Sequence, residues 1–282
     1  MKPAAPDYHP PWWFRGPHLQ TLWGPLSRRP KLPELRRERM STPDGDFVDL
    51  DWLPARERGA PLVVILHGLE GSGKSHYVRG LMREAEERSW RAVVLHFRSC
   101  SGEVNLTPRM YHSGETEDLD WIMRTLTVRE PTLKIGAVGI SLGGNVLLKW
   151  LGEKSEGAPP QVRAAAAIST PFNLAACARV LDRGLNRSMY TASFLRTLKA
   201  KLRKKQRLYG RLLDLPAALR ARTFAEYDRL VTAPLHGFAK SRFIHAHFVR
   251  EGGHAGFLEG ASGRRSWAEG RALAFLERHL LG

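Results

Sequence analysis

"LKIGAVGISLGGNVLLKWLGEK", residues 133–154, is the stretch of this sequence that decides the fold. An apolar, strand-like run leads into the pentapeptide Gly139-Ile140-Ser141-Leu142-Gly143, and an apolar helix-like run follows. Strand, G-x-S-x-G and helix in this order are typical of a nucleophile elbow, in which a strained turn presents a serine at the end of a strand. The pattern therefore predicts Ser141 as a nucleophile and the backbone N–H of Leu142 as a donor to an oxyanion.

The same alternation of strand and helix continues on either side of this stretch. Continuous apolar runs are separated by amphipathic runs, which predicts a mostly parallel sheet with helices on both faces, an α/β fold. The predicted strands are "PLVVILH", "RAVVLHF", "LKIGAVGIS" and "VRAAAAIST". Before them, two short runs flank Asp44-Gly45, a turn-forming dipeptide, and predict an N-terminal β-hairpin.

Changes in composition divide the chain into four predicted parts. Residues 1–35 are rich in Pro, Trp and Arg and are predicted to be an arm lying across the domain. Residues 36–170 form the first part of the α/β core. Residues 171–240 are predicted to be a helical cap insertion without strands. Residues 241–282 return to the core with a last strand, "RFIHAHFV", a glycine-rich loop that contains His254, and a C-terminal helix from about Arg265 to Leu281.

The charge of the chain is concentrated in the predicted cap. The formal net charge is +16, and residues 196–211 contain eight basic residues and no acidic residue. A basic surface attracts anionic membranes or nucleic acid, but a solvated arginine-rich surface explains the same composition. No recognisable nucleic-acid motif accompanies the charges, so nucleic acid is not favoured as a partner. Peripheral contact of helix 196–211 with an anionic membrane stays open.

The sequence also predicts a compartment. It has no run of eighteen apolar residues and no apolar segment near the N-terminus typical of a signal peptide. Its two cysteines, Cys100 and Cys177, are then expected to be free thiols in a reducing compartment. The prediction is a cytoplasmic protein, with peripheral membrane contact as the open alternative.

A catalytic serine requires a base, and His254 is the best-placed candidate. It lies in "EGGHAGF", between the last predicted strand and the last helix, in the order expected for this kind of site. His67 and His96 end strands, and structural roles are the preferred interpretation for both. No histidine pair has the spacing of a metal site, so neither a metal nor an organic cofactor is predicted.

The segment "GLEGSGKS", residues 68–75, has two competing interpretations. It fits the phosphate-loop pattern G-x-x-x-x-G-K-[ST] and lies between a strand and a helix, as a phosphate loop does. A phosphate loop also needs an acidic residue at the end of a neighbouring strand to hold Mg²⁺, and these strands end without one. We therefore interpret "HGLEG" as the loop that supplies the second oxyanion donor, the N–H of Leu69.

Together these motifs resemble those of the YheT-like branch of the α/β hydrolases, carboxylesterases related to eukaryotic phospholipid and acylglycerol hydrolases. The resemblance covers most of the chain and includes "PHLQTLWG", "VILHGLEGS", "HFRSCSGEVN", "YHSGETEDLDW", "GISLGGN", "TAPLHGF" and "GGHAGF". It implies Ser141 as nucleophile, His254 as base, and residues 171–240 as a cap over the site. The polar cluster of Tyr111, His112, Ser113 and Glu115 opens a helix, where capping and loop bracing are preferred over chemistry.

One departure from the family pattern concerns the catalytic acid. In the family, a further strand after the cap ends in a turn that carries the triad aspartate. Nothing between Leu235 and His254 is typical of that strand, acidic turn and helix, and the only acid there is Glu251. This late strand unit is therefore predicted to be missing. Glu251 and Asp228 are candidate substitutes, although structural roles are preferred for both.

Two functions follow as the leading alternatives. The first is a serine esterase that cleaves carboxylic esters, of lipid or acylglycerol type, through an acyl-enzyme on Ser141. The acyl chain of the substrate could lie against Phe194, Leu195, Leu198, Leu202 and Leu208, although packing onto the domain below explains the same residues. The second is a weakened or inactive hydrolase scaffold without the triad acid, which acts as a lipid- or ligand-binding module.

Overall fold

The computed structural model describes residues 8–14, 16–28, 30–54, 57, 59–210, 212–235, 258–259 and 265–281. Eight strands lie within this part of the chain, and their bounds are β1 Arg36–Ser41, β2 Phe47–Trp52, β3 Leu62–Leu66, β4 Arg91–Leu95, β5 Ile135–Ile140, β6 Val162–Ile168, β7 Leu258–Glu259 and β8 Arg265–Ser266. The predicted last strand "RFIHAHFV", the predicted absence of a late strand unit, Glu251 and His254 all fall outside the described residues.

The helices alternate with the strands and then follow one another in the cap. Those of the arm and core are α1 Pro17–Ser27, α2 His76–Glu87, α3 Glu117–Arg129, α4 Leu142–Lys154 and, at the end of the chain, α12 Trp267–Leu280. Those of the cap are α5 Leu174–Leu181, α6 Gly184–Asn186, α7 Ala192–Lys204, α8 Gln206–Tyr209, α9 Leu215–Arg220, α10 Phe224–Tyr227 and α11 Ala233–Leu235. A 3₁₀ turn spans Ser155–Gly157, and π-helical turns span Arg187–Thr191 and Asp228–Thr232.

A six-stranded sheet in the order β1-β2-β4-β3-β5-β6 organises the described core. Strands β3, β4, β5 and β6 are mutually parallel, whereas β1 and β2 form the antiparallel hairpin, which joins the sheet through β2 and β4. Gly45 takes φ +77° in the hairpin turn, a conformation that favours glycine. The prediction of a mostly parallel α/β sheet with an N-terminal hairpin is confirmed.

The two faces of the sheet are covered by different helices. On one face, buried side chains of α3 and α4 pack against the strands, with Trp150 fully buried among them. On the other face, α2 and α12 pack against the sheet through residues such as Leu81 and Leu276. Because both faces are covered, the central strands β3 and β5 are buried along their whole length.

The N-terminal arm contains a helix that the sequence patterns did not predict. Helix α1 packs on α2, where Gly24 leaves room for the ring of His76. Just after α1, Arg28 forms a buried two-pronged ion pair with Glu269 of α12 at 2.7 Å. Burial lowers the pKa of His76 to about 4, so its ring is neutral between these helices at pH 7.

The described part of the cap has its own apolar centre. Leu195, Leu198 and Leu202 of α7 are buried there with Tyr209 and Phe224. These three leucines therefore pack as the alternative to an acyl-chain site expected, but mainly against other cap residues, with Met110 from the domain below. Phe194 is partly buried and Leu208 is exposed. Within the described residues, no helix is long and apolar enough to cross a lipid bilayer.

Candidate active site

Ser141 lies at the junction of β5 and α4 in a strained backbone conformation. Its φ of 54° and ψ of −119° place a non-glycine residue where left-handed geometry is costly. The surrounding backbone holds this conformation. The N–H of Ser141 donates to the carbonyl O of Ile168 at 2.8 Å, and its own carbonyl O accepts from Gly144 N at 2.9 Å.

On both sides of Ser141, other backbone atoms lie so close to the chain that only glycine fits. A Cβ at Gly143 would lie 2.6 Å from the carbonyl O of His67 and closer still to that of Leu66. A Cβ at Gly139 would collide with the carbonyl group of Gly143. The two glycines of the G-x-S-x-G pattern therefore let the turn pass against β3 and against its own helix. This is the geometry that the sequence pattern predicts for an elbow.

The loop after β3 lies directly beside this elbow. A Cβ built on Gly68 would be 3.3 Å from the Cβ of Ser141, so the two chain segments are in contact distance. Gly71 N–H donates to Gly68 O at 2.9 Å and closes the turn, and Glu70 takes φ +56° within it. The structure thus brings "HGLEG" to Ser141, as the interpretation of this loop as an oxyanion loop requires.

Most backbone donors of residues 68–75 already have acceptors within the protein. The N–H groups of Gly68, Glu70, Gly71, Ser72, Lys74 and Ser75 all donate to hydroxyl or carbonyl oxygens of the chain. A phosphate loop uses such groups to surround a phosphate. For the N–H groups of Leu69 and Leu142, the described residues provide no acceptor. This distribution favours an oxyanion site over a phosphate cradle.

His67 braces the loop and is not a candidate base. It is fully buried, and burial lowers its pKa to about 3. Its Nε2 accepts the Phe97 N–H at 3.1 Å, so the proton is on Nδ1, which donates to Gly68 O at 2.8 Å. His96 is buried beside Asp51, with Nε2 2.8 Å from Oδ2. Both histidines have the structural roles preferred from the sequence.

A partly buried polar cluster joins the loop after β3 to the cap. The Glu70 carboxylate accepts from Tyr111 Oη at 2.5 Å and pairs with Lys201 Nζ of α7 at 2.5 Å. The Lys201 ammonium also lies 3.1 Å from Cys100 Sγ. Burial opposes the charged form of Lys201, but Cys100 and Glu70 outweigh it and raise the pKa of the ammonium. Burial raises the pKa of the Cys100 thiol to about 11, so the thiol is protonated.

The sequence reasoning did not identify Glu70, Lys201 or Cys100 as a unit. Glu70 and Cys100 stand inside quoted motifs, and Lys201 looked like one cation of the basic run. Lys205 of the same run is also buried, with Nζ 2.8 Å from Asn105 Oδ1, and burial lowers its pKa to about 8. Lys201 and Lys205 of this run therefore point into the protein, so a solvated surface does not account for all of its described cations.

The polar cluster of Tyr111, His112, Ser113 and Glu115 braces the loop before α3, as preferred from the sequence. Glu115 pairs with Arg109 and accepts from the N–H of Glu117 at 3.1 Å. His112 Nδ1 accepts from Gly114 N at 3.1 Å. Asp228, one candidate for the missing acid, lies in a cap turn and accepts from the Thr232 hydroxyl at 2.9 Å, away from the end of any described strand.

Comparisons with known proteins agree with this geometry. The model of a family described as the alpha/beta hydrolase fold matches residues 61–244. The chain is 41% identical to "Putative esterase YheT" of Escherichia coli (strain K12), over 84% of this chain and 70% of that protein. It is 30% identical to "Phospholipase ABHD3" of Bos taurus, over 82% of this chain and 57% of that protein.

A more distant relative is the "Monoacylglycerol lipase" of Saccharomyces cerevisiae, 27% identical over 63% of this chain and 41% of that enzyme. The chain thus spans little more than half the length of the phospholipase and less than half the length of the lipase.

Proposed function

Because this chain belongs to the α/β-hydrolase fold family, we propose that it is a serine hydrolase that cleaves carboxylic esters, of lipid or acylglycerol type. The observation that carries the proposal is the strained elbow at Ser141 beside a loop whose Leu69 N–H has no acceptor among the described residues. The names esterase, phospholipase and lipase of its relatives support the substrate class.

The proposed reaction proceeds through an acyl-enzyme. The Ser141 hydroxyl attacks the ester carbonyl and transfers its proton to His254, the proposed base. The N–H groups of Leu69 and Leu142 donate to the oxyanion, and the N-terminus of α4 adds its dipole. The intermediate then collapses, and the alcohol leaves with the proton from His254. A water molecule, activated by His254, attacks the acyl-enzyme and releases the acid.

The oxyanion loop is positioned through Glu70 in this proposal. Leu69 is followed by Glu70 in a left-handed conformation, and Tyr111 fixes Glu70 on both its N–H and its carboxylate. The ion pair with Lys201 ties the same carboxylate to α7. Lys201 is therefore a positioning residue, through which docking of the cap sets the direction of the Leu69 N–H.

Replacing Lys201 by methionine is expected to lower kcat for a soluble ester about tenfold with little change in KM, since a small displacement of an oxyanion donor costs transition-state binding alone. The rate of fluorophosphonate labelling is expected to fall in parallel. The matched control is Lys204→Met, an exposed position on the same helix, with no expected effect on either rate. Equal rates for wild type and Lys201→Met would show that the cap does not position the loop.

A catalytically weakened scaffold is the second candidate, and a specific sequence observation favours it. Between Leu235 and His254 the only acid is Glu251, where the family pattern has a strand and the triad aspartate. Loss of the acid's role in such a triad lowers turnover by about ten-thousand-fold while the nucleophile and the oxyanion hole persist. In this case the protein would bind lipid or another ligand without hydrolysing it at a useful rate.

The deciding experiment is intact-mass analysis after treatment with a fluorophosphonate, which reacts with an activated serine. For the esterase we expect one adduct on wild type, none on Ser141→Ala, and an unchanged adduct on Ser113→Ala, since Ser113 belongs to the structural loop before α3. No adduct on folded wild-type protein would reject the esterase and leave the scaffold.

A further inference from the structure

A cavity of about 680 Å³ opens in the cap, away from the residues assigned to catalysis. All of its lining residues belong to the cap, between Asp182 and Arg222. The lining is strongly basic, and its five cationic side chains are Arg187, Arg196, Lys199, Arg203 and Arg222. Three of them come from the basic run 196–211, and the fold brings Arg187 and Arg222 from outside the run to the same cavity.

Among the described residues, these cations lack the carboxylate partners that several other arginines have. Arg28, Arg39 and Arg98 all pair with Asp or Glu. For the five cavity cations, the described residues provide no carboxylate at ion-pair distance. The acidic residue in the lining, Asp182, already accepts the backbone N–H groups of Phe224 at 2.8 Å and Ala225 at 3.2 Å.

The pKa of Lys199 reflects the neighbouring positive charges. Burial and the neighbouring Arg203 and Arg222 lower the pKa of its ammonium, and Glu226 only partly offsets them. Glu226 is itself engaged, because it accepts the N–H of Arg222 at 2.5 Å. Lys199 donates to the carbonyl O of Ala221 and so has an acceptor, but no counter-ion among the described residues. A bound anion would relieve this repulsion.

We propose that this cavity binds the phosphate group of a phosphate-bearing ligand. Guanidinium groups donate two parallel hydrogen bonds to phosphate oxygens, and a tetrahedral dianion can accept from several cations at once, whereas a carboxylate accepts from fewer. The concave shape favours a compact anion over an extended nucleic acid strand. The inference is independent of ester hydrolysis, because no lining residue belongs to the proposed catalytic machinery.

A second, smaller cavity adjoins the first at Gly184, and its lining combines the apolar side chains of Val180 and Leu185 with His18, Arg183 and Asn186. Its volume is about 430 Å³, and its lining includes Val180 and Leu185, which are 60% and 77% exposed. A lipid headgroup would place its phosphate among the cations and its apolar part near these side chains. A soluble phosphate compound would use the cations alone. Both sources share the phosphate chemistry, and the experiment separates them.

The first arm is isothermal titration of the full chain with inorganic phosphate at low ionic strength. We expect saturable binding to one site, weakened at least tenfold in the double variant Arg196→Gln/Arg203→Gln. The matched control is Lys204→Gln/Arg207→Gln, which removes the same charge from the same exposed stretch but outside the cavity lining, and is expected to change the affinity less than twofold. Thermal melting of each variant checks that it is folded.

The second arm is sedimentation with phosphatidylcholine vesicles with and without phosphatidic acid. Binding to the phosphatidic acid vesicles that is lost in the cavity variant and kept in the control identifies a lipid headgroup as the source. Phosphate binding without selective sedimentation identifies a soluble phosphate compound. The proposal is overturned if inorganic phosphate shows no saturable binding, or if both double variants weaken it equally, since the latter would reflect overall charge.

Discussion

Replacing Ser141 by glycine is expected to abolish ester turnover and to stabilise the protein at the same time. Loss of a catalytic serine of this kind lowers kcat by about a million-fold. A non-glycine residue held at φ 54° and ψ −119° stores about 1–3 kcal/mol of strain, which glycine relieves. Glycine also gains freedom in the unfolded chain, worth about 0.5–1 kcal/mol. The net expectation is stabilisation by about 1 kcal/mol.

The measurement combines ester kinetics with urea denaturation of three proteins: wild type, Ser141→Gly and Ser141→Ala. The alanine variant is the control, since it removes the hydroxyl but keeps a Cβ in the strained turn. It should therefore be as inactive as the glycine variant without the gain in stability. A glycine variant that is no more stable than the alanine variant would show that the elbow is not strained. This comparison is informative even if the wild type turns over slowly.

Replacing Arg98 by methionine is expected to lower the free energy of unfolding by about 3–5 kcal/mol at pH 7. The guanidinium is buried, and it pairs with Asp44 at 2.7 Å, Asp46 at 3.1 Å and Asp118 at 2.7 Å. Asp44 and Asp46 lie in the hairpin connection between β1 and β2, and Asp118 lies in helix α3. The methionine variant leaves these like charges close together without the cation that pairs with them, and their repulsion destabilises the fold.

The pH dependence of this loss of stability tests whether the carboxylates around Arg98 cause it. Burial tends to raise the pKa of Asp44, but hydrogen bonds from Arg98 and Thr42 outweigh it and lower the pKa to about 2. A carboxylate with a depressed pKa stabilises the fold fully above its unfolded pKa of about 3.9 and loses that contribution as the pH falls through the folded value. The difference in stability between wild type and variant should therefore be larger at pH 7 than at pH 3 and shrink further towards pH 2.

Urea denaturation at pH 7 and at pH 3 measures the loss of stability and its dependence on pH. The control is Arg83→Met, which breaks an exposed pair with Glu87 at 2.9 Å and is expected to leave the free energy of unfolding almost unchanged at either pH, because solvent screens this pair. A loss for Arg98→Met as small as that of the control would mean that the three carboxylates do not depend on this cation.

The segment "HFRSCSGEVN", which contains Arg98, makes further polar contacts with the hairpin and the cap. Its Asn105 accepts from Lys205 Nζ of the cap at 2.8 Å and donates to Asp46 at 2.6 Å. Cys100 of the same segment contacts Lys201 of the cap at 3.1 Å. The segment therefore connects hairpin, sheet and cap by buried polar contacts. The motif is a structural junction on which the cap rests.

The sequence by itself determined the sheet, its covering helices and the elbow. Apolar runs of strand length between amphipathic runs allow few arrangements, because each strand must bury both faces. Helix α4 has the predicted bounds, since the elbow glycines and the apolar run that follows mark its start locally. The place of the loop "HGLEG" beside Ser141 also followed, because the carboxyl ends of neighbouring parallel strands meet at one edge.

Only the tertiary structure decided which of the cap cations face inwards and which gather in one cavity. In sequence, Lys199, Lys201 and Lys205 are equivalent members of one basic run. Folding pairs Lys201 with Glu70, 131 positions away, buries Lys205 against Asn105, and turns Lys199 towards Arg222. Local periodicity carries no information on such partners. The partner of each lysine depends on how distant segments pack, and burial and neighbouring charges then shift the pKa of the side chain.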